Sequence, residues 1–426
     1  MTPPAPIDVN RHPCFNAKVK GQYGRVHLPV APKCNIKCNY CNRKYDCVNE
    51  SRPGVTSSVL DPHQALEYME KVLAKEPRIT VAGIAGPGDP FANPDETLTT
   101  MRLIRNRFPE LILCLASNGM NLAPYAEEIA AIGVSHVTVT INAVDPTISA
   151  KIYSWVRDGK MVYRGLQGAE LLLARQLESV RLLKKHGVTV KVNTIVIPGI
   201  NDHHVEAVAA KMKELGVDLL NCMAMLPNAD TVFEDLIEPS KETMVAIRQT
   251  AEKYLPQMRH CTRCRADAVG LLDNDRTEEF RGCLSACSSK PVDKAAARPY
   301  VAVATMEGVL INQHLGEAWK LQIWEEKAGD FKMVEERDTP QAGGGEMRWQ
   351  GLSRVLADCR AVLVHGIGDT PARILKKAGI EPVEMSGFID RGLAAVYRGE
   401  NVSTFKARRR SCSDGACTGS GGGCGG

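Results

Sequence analysis

Three cysteines stand close together early in the chain, in the run Cys34-Asn-Ile-Lys-Cys38-Asn-Tyr-Cys41. Their C-x₃-C-x₂-C spacing offers three thiolates on one tight loop, with no fourth cysteine in register. Three thiolates can hold three irons of a [4Fe–4S] cube and leave the fourth iron open. An open iron on a reducing cluster indicates catalysis rather than simple electron transfer. A structural zinc knuckle is the alternative, because Cys47 could supply the fourth ligand that zinc requires.

The 15 cysteines of the chain favour metal ligation over disulfide bonds. The first eleven residues are polar and rich in proline, so we expect no signal peptide and a cytoplasmic protein. In a reducing cytoplasm disulfides do not persist, whereas thiolates serve as metal ligands. The cysteines also cluster, at 34–47, 261–264, 283–287 and in the last fifteen residues, rather than being scattered as core residues would be.

Charge and hydropathy exclude other classes of partner. The net charge of +4 is small for 426 residues, and no long uncharged apolar run appears. We therefore expect no nucleic-acid partner and no membrane segment.

Short apolar runs alternate with amphipathic segments from about residue 24 to residue 226. Predicted strands cover 25–30, 79–84, 112–116, 136–141, 188–197 and 219–225, and predicted helices cover 61–75, 94–107, 125–131, 171–186 and 203–215. Six strand–helix units predict parallel strands in an α/β fold of the partial (β/α)₆ barrel type. The cysteine triad follows the first strand, at the end of the barrel where such folds carry their chemistry.

The chain is predicted to divide into five segments. These are an N-terminal ligand segment (1–23), the barrel with a cysteine-bearing extension (24–289), a linker (290–298), a small α/β domain (299–400) and a flexible tail (401–426). The small domain is predicted to have strands at 300–306, 319–325 and 361–365 and helices at 351–358 and 371–378. The glycine-rich tail cannot bury a core, although Cys412, Cys417 and Cys424 give it potential iron ligands.

Six further side chains in the first 289 residues are candidate ligands: Cys14, His27, Cys47, Cys114, Cys261 and Cys264. The Cys261-Thr-Arg-Cys264 run is the strongest local indication of a metal. For Cys114, in an apolar run, a buried core thiol is the alternative, and for His27 a structural histidine. Six such ligands would suit two more iron–sulfur clusters at three ligands apiece.

The cysteine triad after the first strand of this pattern resembles the radical S-adenosylmethionine enzymes. The run Gly86-Pro-Gly88-Asp89-Pro90 stands where that family has a Gly-Gly-Glu-Pro motif that holds the amino group of S-adenosylmethionine. The resemblance implies a [4Fe–4S] cluster on Cys34, Cys38 and Cys41 that reductively cleaves S-adenosylmethionine to a 5′-deoxyadenosyl radical. It implies cofactor contacts from Tyr40, Gly86, Gly88, Asp89, Thr140, Asn142, Asn193 and Ile195.

Longer segments are similar to the members of this family that build the nitrogenase cofactor core: 12–14, 24–34, 42–54, 197–202 and 258–267. This resemblance implies two [4Fe–4S] precursor clusters, one on His27, Cys47 and Cys114 and the other on Cys14, Cys261 and Cys264. It also places Glu50 and Arg52 beside the first precursor cluster. A carboxylate there can move protons or guard a ligand position.

The implied reaction is a lyase-type fusion of the two precursor clusters with a carbide and an added sulfur. One S-adenosylmethionine donates a methyl group, and the radical from a second abstracts hydrogen from it. The segments 311–318 and 363–371 are similar to the NifX-like cofactor-carrier domain, of ribonuclease H-like fold, in which His314 is a candidate ligand. The implied partners are iron–sulfur cluster donors, cofactor carriers or scaffolds, and an electron donor such as a ferredoxin or flavodoxin.

Two other functions remain open at this point. One is a radical enzyme of the molybdopterin-biosynthesis type that acts on a small molecule, and the other is a non-catalytic cluster scaffold or carrier. Iron content separates the first from cluster fusion, because one catalytic cube holds about four irons and three cubes hold about twelve.

Overall fold

The computed structural model of the chain describes residues 7–47, 56, 58–290, 298–327 and 329–398. It separates into two compact units, Met1–Pro291 and Val292–Gly426. Within the described residues, no helix is both long enough and apolar enough to cross a membrane.

The first unit contains ten strands and eight α-helices among its described residues. The strands are β1 (Gly24–His27), β2 (Ile36–Cys38), β3 (Ile79–Ile84), β4 (Ile112–Ser117), β5 (Val134–Thr140), β6 (Tyr153–Asp158), β7 (Met161–Tyr163), β8 (Thr189–Val196), β9 (Leu219–Ala224) and β10 (Val269–Gly270). The helices are α1 (Pro62–Lys75), α2 (Pro94–Arg107), α3 (Ala126–Ile132), α4 (Pro146–Ile152), α5 (Gly165–Lys185), α6 (Val205–Glu214), α7 (Lys241–Glu252) and α8 (Thr277–Ser288).

Six strands form a parallel sheet in the order β1-β3-β4-β5-β8-β9, and β10 pairs antiparallel with the outer edge of β1. The six parallel strands lie side by side in the order in which they occur in the chain. Each connection leads from one strand to its neighbour in the sheet. This architecture confirms the predicted partial (β/α)₆ barrel, and all six predicted strands overlap an observed one.

Alternation along each strand separates the two faces of this sheet. On β5, Val137 and Val139 join the large hydrophobic core that also holds apolar residues of α1, α2 and α6. The intervening side chains, His136, Thr138 and Thr140, are buried but polar. The inner face of the half barrel therefore carries polar side chains in an otherwise apolar setting.

Two glycines end helices as their sequence context predicts. Gly187 follows α5 and Gly216 follows α6, with φ angles of 74° and 72°. Such left-handed angles favour glycine, which has no Cβ to clash with the preceding turn.

Between β5 and β8 the structure contains elements that the sequence pattern did not predict. Helix α4 and the β6–β7 hairpin precede α5, which begins at Gly165 rather than at residue 171. β6 also pairs with β2, the short strand of the cysteine loop. Only two of the six residues of β6 are buried and α5 begins among glycines, so local propensity is weak there and tertiary contacts decide.

The second unit has seven strands and three helices among its described residues. They are β11 (Tyr300–Val303), β12 (Leu310–Ile311), β13 (Lys320–Lys327), β14 (Asp330–Asp338), α9 (Glu346–Val355), β15 (Cys359–Val364), α10 (Asp369–Lys377), β16 (Glu381–Glu384), β17 (Gly387–Phe388) and α11 (Ile389–Arg398). The main sheet runs β14-β13-β11-β15-β16, with β13 antiparallel to β11. Counted within this sheet the order is 3-2-1-4-5, in agreement with the predicted ribonuclease H-like α/β domain. Apolar residues of α9 and α10 cover one face and those of α11 the other.

Candidate functional site

The cysteine triad lies on the loop between β1 and α1, at the carboxyl end of the first barrel strand. Cys38 and Cys41 are buried and Cys34 is partly exposed. Burial, followed by the nearby Asp89 carboxylate, raises the pKa of Cys34 to about 11. Burial also raises the pKa of Cys41, although Arg43 and Lys37 act in the opposite direction. Without metal these thiols stay protonated at neutral pH, so iron binding must release protons.

Asn142 connects three groups behind the triad. Its Nδ2 donates to the hydroxyl of Tyr40 at 2.7 Å and to that of Tyr153 at 3.1 Å. Its Oδ1 accepts from the backbone N–H of Ile195 at 2.9 Å. Tyr40 and Ile195 pack in one apolar cluster with Cys38 and Cys41. The structure therefore brings three predicted cofactor contacts (Tyr40, Asn142 and Ile195) directly against the cysteine loop.

Thr140 and Asn193 precede Asn142 and Ile195 by two residues each. They pair in register on β5 and β8, and both are buried. The backbone oxygen of Thr140 accepts from Gln176 Nε2 at 2.9 Å, and Asn193 Oδ1 accepts from Asn221 Nδ2 at 3.1 Å. The amide side chains of Gln176, Asn193 and Asn221 thus form a buried polar layer.

The turn after β3 packs backbone against backbone on the loop that leads to Cys34. The N–H of Gly88 donates to the oxygen of Ala31 at 2.6 Å, and the N–H of Asp89 donates to the oxygen of Lys33 at 2.8 Å. A Cβ at position 88 would overlap the Lys33 carbonyl and approach the Ala31 oxygen to 2.8 Å. Only glycine allows this approach, which sets the position of the cysteine loop.

Asp89 fixes the same turn to the end of β4. Its buried carboxylate accepts from the backbone N–H groups of Phe91 at 2.9 Å and Asn118 at 2.6 Å, and from the Ser117 hydroxyl. Burial raises the pKa of Asp89 even so. Protein donors already engage both carboxylate oxygens. Asp89 therefore acts by holding the turn after β3 in place.

A cavity of about 570 Å³, part of which is open to solvent, lies on the inner face of the half barrel. Five of the six additional candidate ligands line it: Cys14, His27, Cys114, Cys261 and Cys264. His27, Gly83 and Cys114 pair in one row across β1, β3 and β4. A Cβ on Gly83 would lie 3.2 Å from the His27 ring, so the glycine leaves the space between the two candidate ligands open. Cys261 also packs against the apolar cluster of Cys38 and Cys41, so the cavity adjoins the triad loop.

Backbone contacts fix the orientation of His27. Its Nδ1 lies 2.8 Å from the carbonyl oxygen of Arg265, which can only accept, so Nδ1 carries the hydrogen. Burial, and then the nearby Arg25 charge, lower the pKa of His27 to about 4, so the ring is neutral at pH 7. Nε2 therefore holds the lone pair, as a metal-ligating histidine requires.

The N-terminal segment and the Cys261–Cys264 segment meet beside this cavity. His260 Nε2 lies 2.9 Å from the oxygen of Pro13, one residue before Cys14. Burial, and then the neighbouring Cys264, raise the pKa of Cys14. Residues from opposite ends of the first unit thus form a common wall.

Two buried cations that the sequence analysis did not identify complete the cavity. Arg25 donates from Nε and Nη2 to Cys264 Sγ at 3.2 and 3.1 Å, and from Nη1 to the Gly270 oxygen at 2.6 Å. Lys191 projects from β8 and lies over the ring of Phe15. Arg25 precedes His27 by two residues and Lys191 precedes Asn193 by two, so strand alternation could have placed both on the inner face. Buried cations favour an anionic occupant.

Comparison with known proteins identifies the family of the chain. The Radical SAM superfamily model matches residues 28–212, and the Dinitrogenase iron-molybdenum cofactor model matches residues 298–399. A Chlorobaculum tepidum protein described as FeMo cofactor biosynthesis protein NifB is 49% identical, over 98% of this chain and 99% of the relative. The chain belongs to the NifB family. A Klebsiella pneumoniae NifB is 40% identical over 90% of this chain and 88% of its own length.

Solved structures align more distantly with this NifB-family chain. Methylornithine synthase (PylB) covers 65% of this chain and 86% of its own, at 13% identity and a TM-score of 0.39. Membership of the radical S-adenosylmethionine superfamily brings with it a [4Fe–4S] cluster and S-adenosylmethionine.

Cys47 does not line the cavity of this NifB-family chain. It is partly buried, and the neighbouring Asp46 carboxylate accepts from the N–H of Ala266 at 3.3 Å, beside the Cys264 segment. Glu50 and Arg52, predicted beside the first precursor cluster, lie outside the described residues, as do Cys412, Cys417 and Cys424. Among the described residues, no group of three His, Cys, Asp or Glu is arranged to hold a single metal ion.

His314 of the second unit is exposed and lies beside a glycine-rich loop. Its Nδ1 accepts from the N–H of Gly316 at 3.0 Å, and its backbone bridges to Gly366. A Cβ on Gly366 would approach the His314 ring to 2.9 Å. The loop then leads into α10, whose first residue is Asp369.

Proposed function

We propose that this chain builds the iron–sulfur–carbide precursor of the nitrogenase FeMo cofactor, the biosynthesis for which its NifB relatives are named. The reaction fuses two [4Fe–4S] clusters, adds a sulfur and inserts a carbide that derives from S-adenosylmethionine. One observation carries the proposal: four thiols and one imidazole line a single cavity that adjoins the cysteine triad. These ligands are sufficient in number and type for iron–sulfur clusters in addition to the one on the triad.

Cys34, Cys38 and Cys41 would hold the catalytic cluster. When bound, that cluster and S-adenosylmethionine supply one-electron radical chemistry. The residues around the triad fit this cofactor, because the Gly88 turn brings backbone close to the loop and Asn142 holds Tyr40 and Ile195 behind it. These residues bind and orient the cosubstrate next to the cavity.

The two precursor clusters are substrates, and the six additional ligands would hold them. His27, Cys47 and Cys114 would take one, while Cys14, Cys261 and Cys264 would take the other. The lone pair on His27 Nε2 and the contact between Arg25 and Cys264 both support ligation in the cavity. Glu50 and Arg52 remain proposed for the first precursor site from the sequence alone.

Arg25 and Lys191 suit this cargo because a [4Fe–4S] cube with thiolate ligands is anionic. Arg25 is 1% and Lys191 4% exposed, so solvent screens little of their charge. Electrostatic attraction to a buried cation is stronger than at a surface, and it favours binding of both clusters in one place.

The decisive experiment is anaerobic reconstitution of the full chain with iron and sulfide. About twelve irons per chain are expected from three cubes, and about four would indicate a single catalytic cluster. Addition of dithionite and S-adenosylmethionine should then yield 5′-deoxyadenosine and S-adenosylhomocysteine. Absence of both products from fully loaded protein would leave a scaffold or carrier as the function.

The second unit is proposed to dock the product or a carrier, with His314 as a candidate ligand. Its support is the match of residues 298–399 to the cofactor-binding family model. Cluster donors, cofactor carriers and a ferredoxin or flavodoxin are the proposed partners, in the cytoplasm. A chain that ends at Arg298 should still cleave S-adenosylmethionine but deliver less product to a carrier. Undiminished delivery would argue against this role.

A further inference from the structure

His12 lines the cavity but is not one of the candidate ligands. It is 2% exposed, and its ring packs on those of Phe15 and His136 with centroids 4.7 and 4.5 Å away. Its Nδ1 accepts a hydrogen bond from the backbone N–H of Cys14 at 3.2 Å. The ring is therefore fixed in both position and orientation.

This hydrogen bond determines where the ring carries its proton. A backbone N–H can only donate, so Nδ1 of His12 must present a lone pair. A neutral ring with its lone pair at Nδ1 carries hydrogen on Nε2. Nε2 is buried and has no hydrogen-bond partner among the described residues.

His12 and His27 thus hold opposite tautomers in one cavity. His27 donates from Nδ1 to a carbonyl and presents a lone pair at Nε2, whereas His12 accepts at Nδ1 and presents an N–H at Nε2. His27 can ligate iron in this state and His12 cannot. A buried N–H without an acceptor is unfavourable, so an occupant of the cavity must accept from it.

The surrounding charges limit what that occupant can be. Arg25 and Lys191 also line the cavity and carry only donors, so neither can accept from His12. Cys14, two residues away, is a proposed cluster ligand. An anionic cluster bound there brings sulfide and thiolate sulfurs, which are acceptors, into the space that His12 lines.

We propose that His12 Nε2 donates a hydrogen bond to a sulfur of the precursor cluster held by Cys14, Cys261 and Cys264, which makes His12 a positioning residue for that cluster. The inference rests on the proposed function, since it requires a cluster at this site. Hydrogen bonds to cluster sulfurs stabilise the reduced state, and so they raise the reduction potential.

The test uses the full chain with one cluster site retained. Replacement of Cys34, Cys38, Cys41, Cys47 and Cys114 by alanine leaves only the Cys14 site, and this host is reconstituted with iron and sulfide. His12→Asn keeps an acceptor for the Cys14 N–H but removes the Nε2 donor. His12→Gln places an amide N–H near the position of Nε2. His203→Asn, on the exposed surface, is the matched control.

In a redox titration followed by electron paramagnetic resonance, His12→Asn should shift the potential of the cluster to a more negative value. His12→Gln should restore most of the shift, and His203→Asn should leave the potential unchanged. A purely structural role for His12 would predict no rescue by glutamine. Equal potentials in the host and in His12→Asn would overturn the inference.

A second measurement covers the case in which His12→Asn binds no iron. Pulsed paramagnetic resonance of the host labelled with ¹⁵N-histidine should show a nitrogen coupling to the reduced cluster that His12→Gln abolishes. An identical set of nitrogen couplings in the host and in this variant, or no coupling in the host, would overturn the inference. A host that binds no iron at all would instead contradict the proposed precursor site.

Discussion

The Nδ1 atom of His27 lies 2.8 Å from the carbonyl oxygen of Arg265, and this contact joins the first barrel strand to the segment after Cys264. The contact leaves Nε2 as the only ring nitrogen of His27 with a lone pair. A backbone carbonyl, rather than a neighbouring side chain, sets the orientation of the ring. Because 238 positions separate the two residues, no local sequence pattern could have revealed the contact.

His27→Ala should remove one precursor cluster. Iron content should fall from about twelve to about eight per chain, since each cube holds four irons. Arg265→Lys is the control, because it changes the side chain but keeps the carbonyl that orients His27. Iron analysis and Mössbauer spectroscopy measure both variants, and full iron content in His27→Ala would remove His27 from the ligand set.

Cys38→Ala should abolish formation of both 5′-deoxyadenosine and S-adenosylhomocysteine. Two thiolates hold a cube poorly, and without the catalytic cluster S-adenosylmethionine loses both the open iron that binds it and the source of its electron. The control is Cys283→Ala, which changes a partly buried thiol on α8, away from the cavity lining. Product analysis by chromatography decides the matter, and cleavage that survives in Cys38→Ala would disprove the triad assignment.

Gly88→Ala should displace the cysteine loop and weaken binding of S-adenosylmethionine. The added methyl group would overlap the Lys33 carbonyl, so the two backbones must separate. Gly282→Ala is a matched control, because Gly282 is exposed on α8 with nothing within 4 Å of its Cβ position. There alanine should stabilise the protein by about 0.5–1 kcal/mol. Equilibrium binding and urea unfolding compare the pair, and wild-type affinity in Gly88→Ala would contradict the close approach.

Glu76 should make the stability of the cluster-free protein depend on pH. Hydrogen bonds from Arg78, and also from Arg276, lower the pKa of its carboxyl to about 2 although burial opposes them. Because the pKa is lowered, the contribution of the Glu76 carboxylate to the free energy of unfolding is complete above about pH 4.5. This contribution is lost as the pH falls toward 2.

Glu76→Gln should therefore cost about 1–2 kcal/mol of unfolding free energy at pH 7, less than a fully buried pair would because Arg78 is half exposed. The difference from wild type should shrink steadily between pH 4.5 and pH 3. Urea unfolding at several pH values measures it. A difference that stays constant with pH would show that the carboxylate charge is not responsible.

Much of the barrel could be predicted from the sequence because its buried strands are nearly continuous apolar runs. β3 and α2 occur at the predicted residues, 79–84 and 94–107. The short antiparallel β10 was missed because two residues carry no periodicity. α7 and α8 were missed as well, since neither is followed by a strand of the parallel sheet that would complete a repeating unit.

For the site, spacing alone brought out the triad and the Cys261–Cys264 pair, and five of the candidate ligands line the inner-face cavity. Arg25 and Lys191 escaped notice because a charged residue within a strand is ordinarily assigned to a solvated face. Phe15 of the N-terminal segment packs on Lys191, and the segment from Cys264 to Gly270 contacts Arg25; such long-range packing is absent from local patterns.

The walls of the cavity come from both ends of the first unit, which has a consequence for the order of synthesis. As the chain leaves the ribosome, the cysteine triad emerges long before Cys261 and Cys264. The proposed precursor site on Cys14, Cys261 and Cys264 is therefore complete only after residue 264 has been made, later than the triad and later than the proposed site on His27, Cys47 and Cys114. Fusion of two precursor clusters therefore requires the whole first unit, because the last ligands of the second proposed site follow β9.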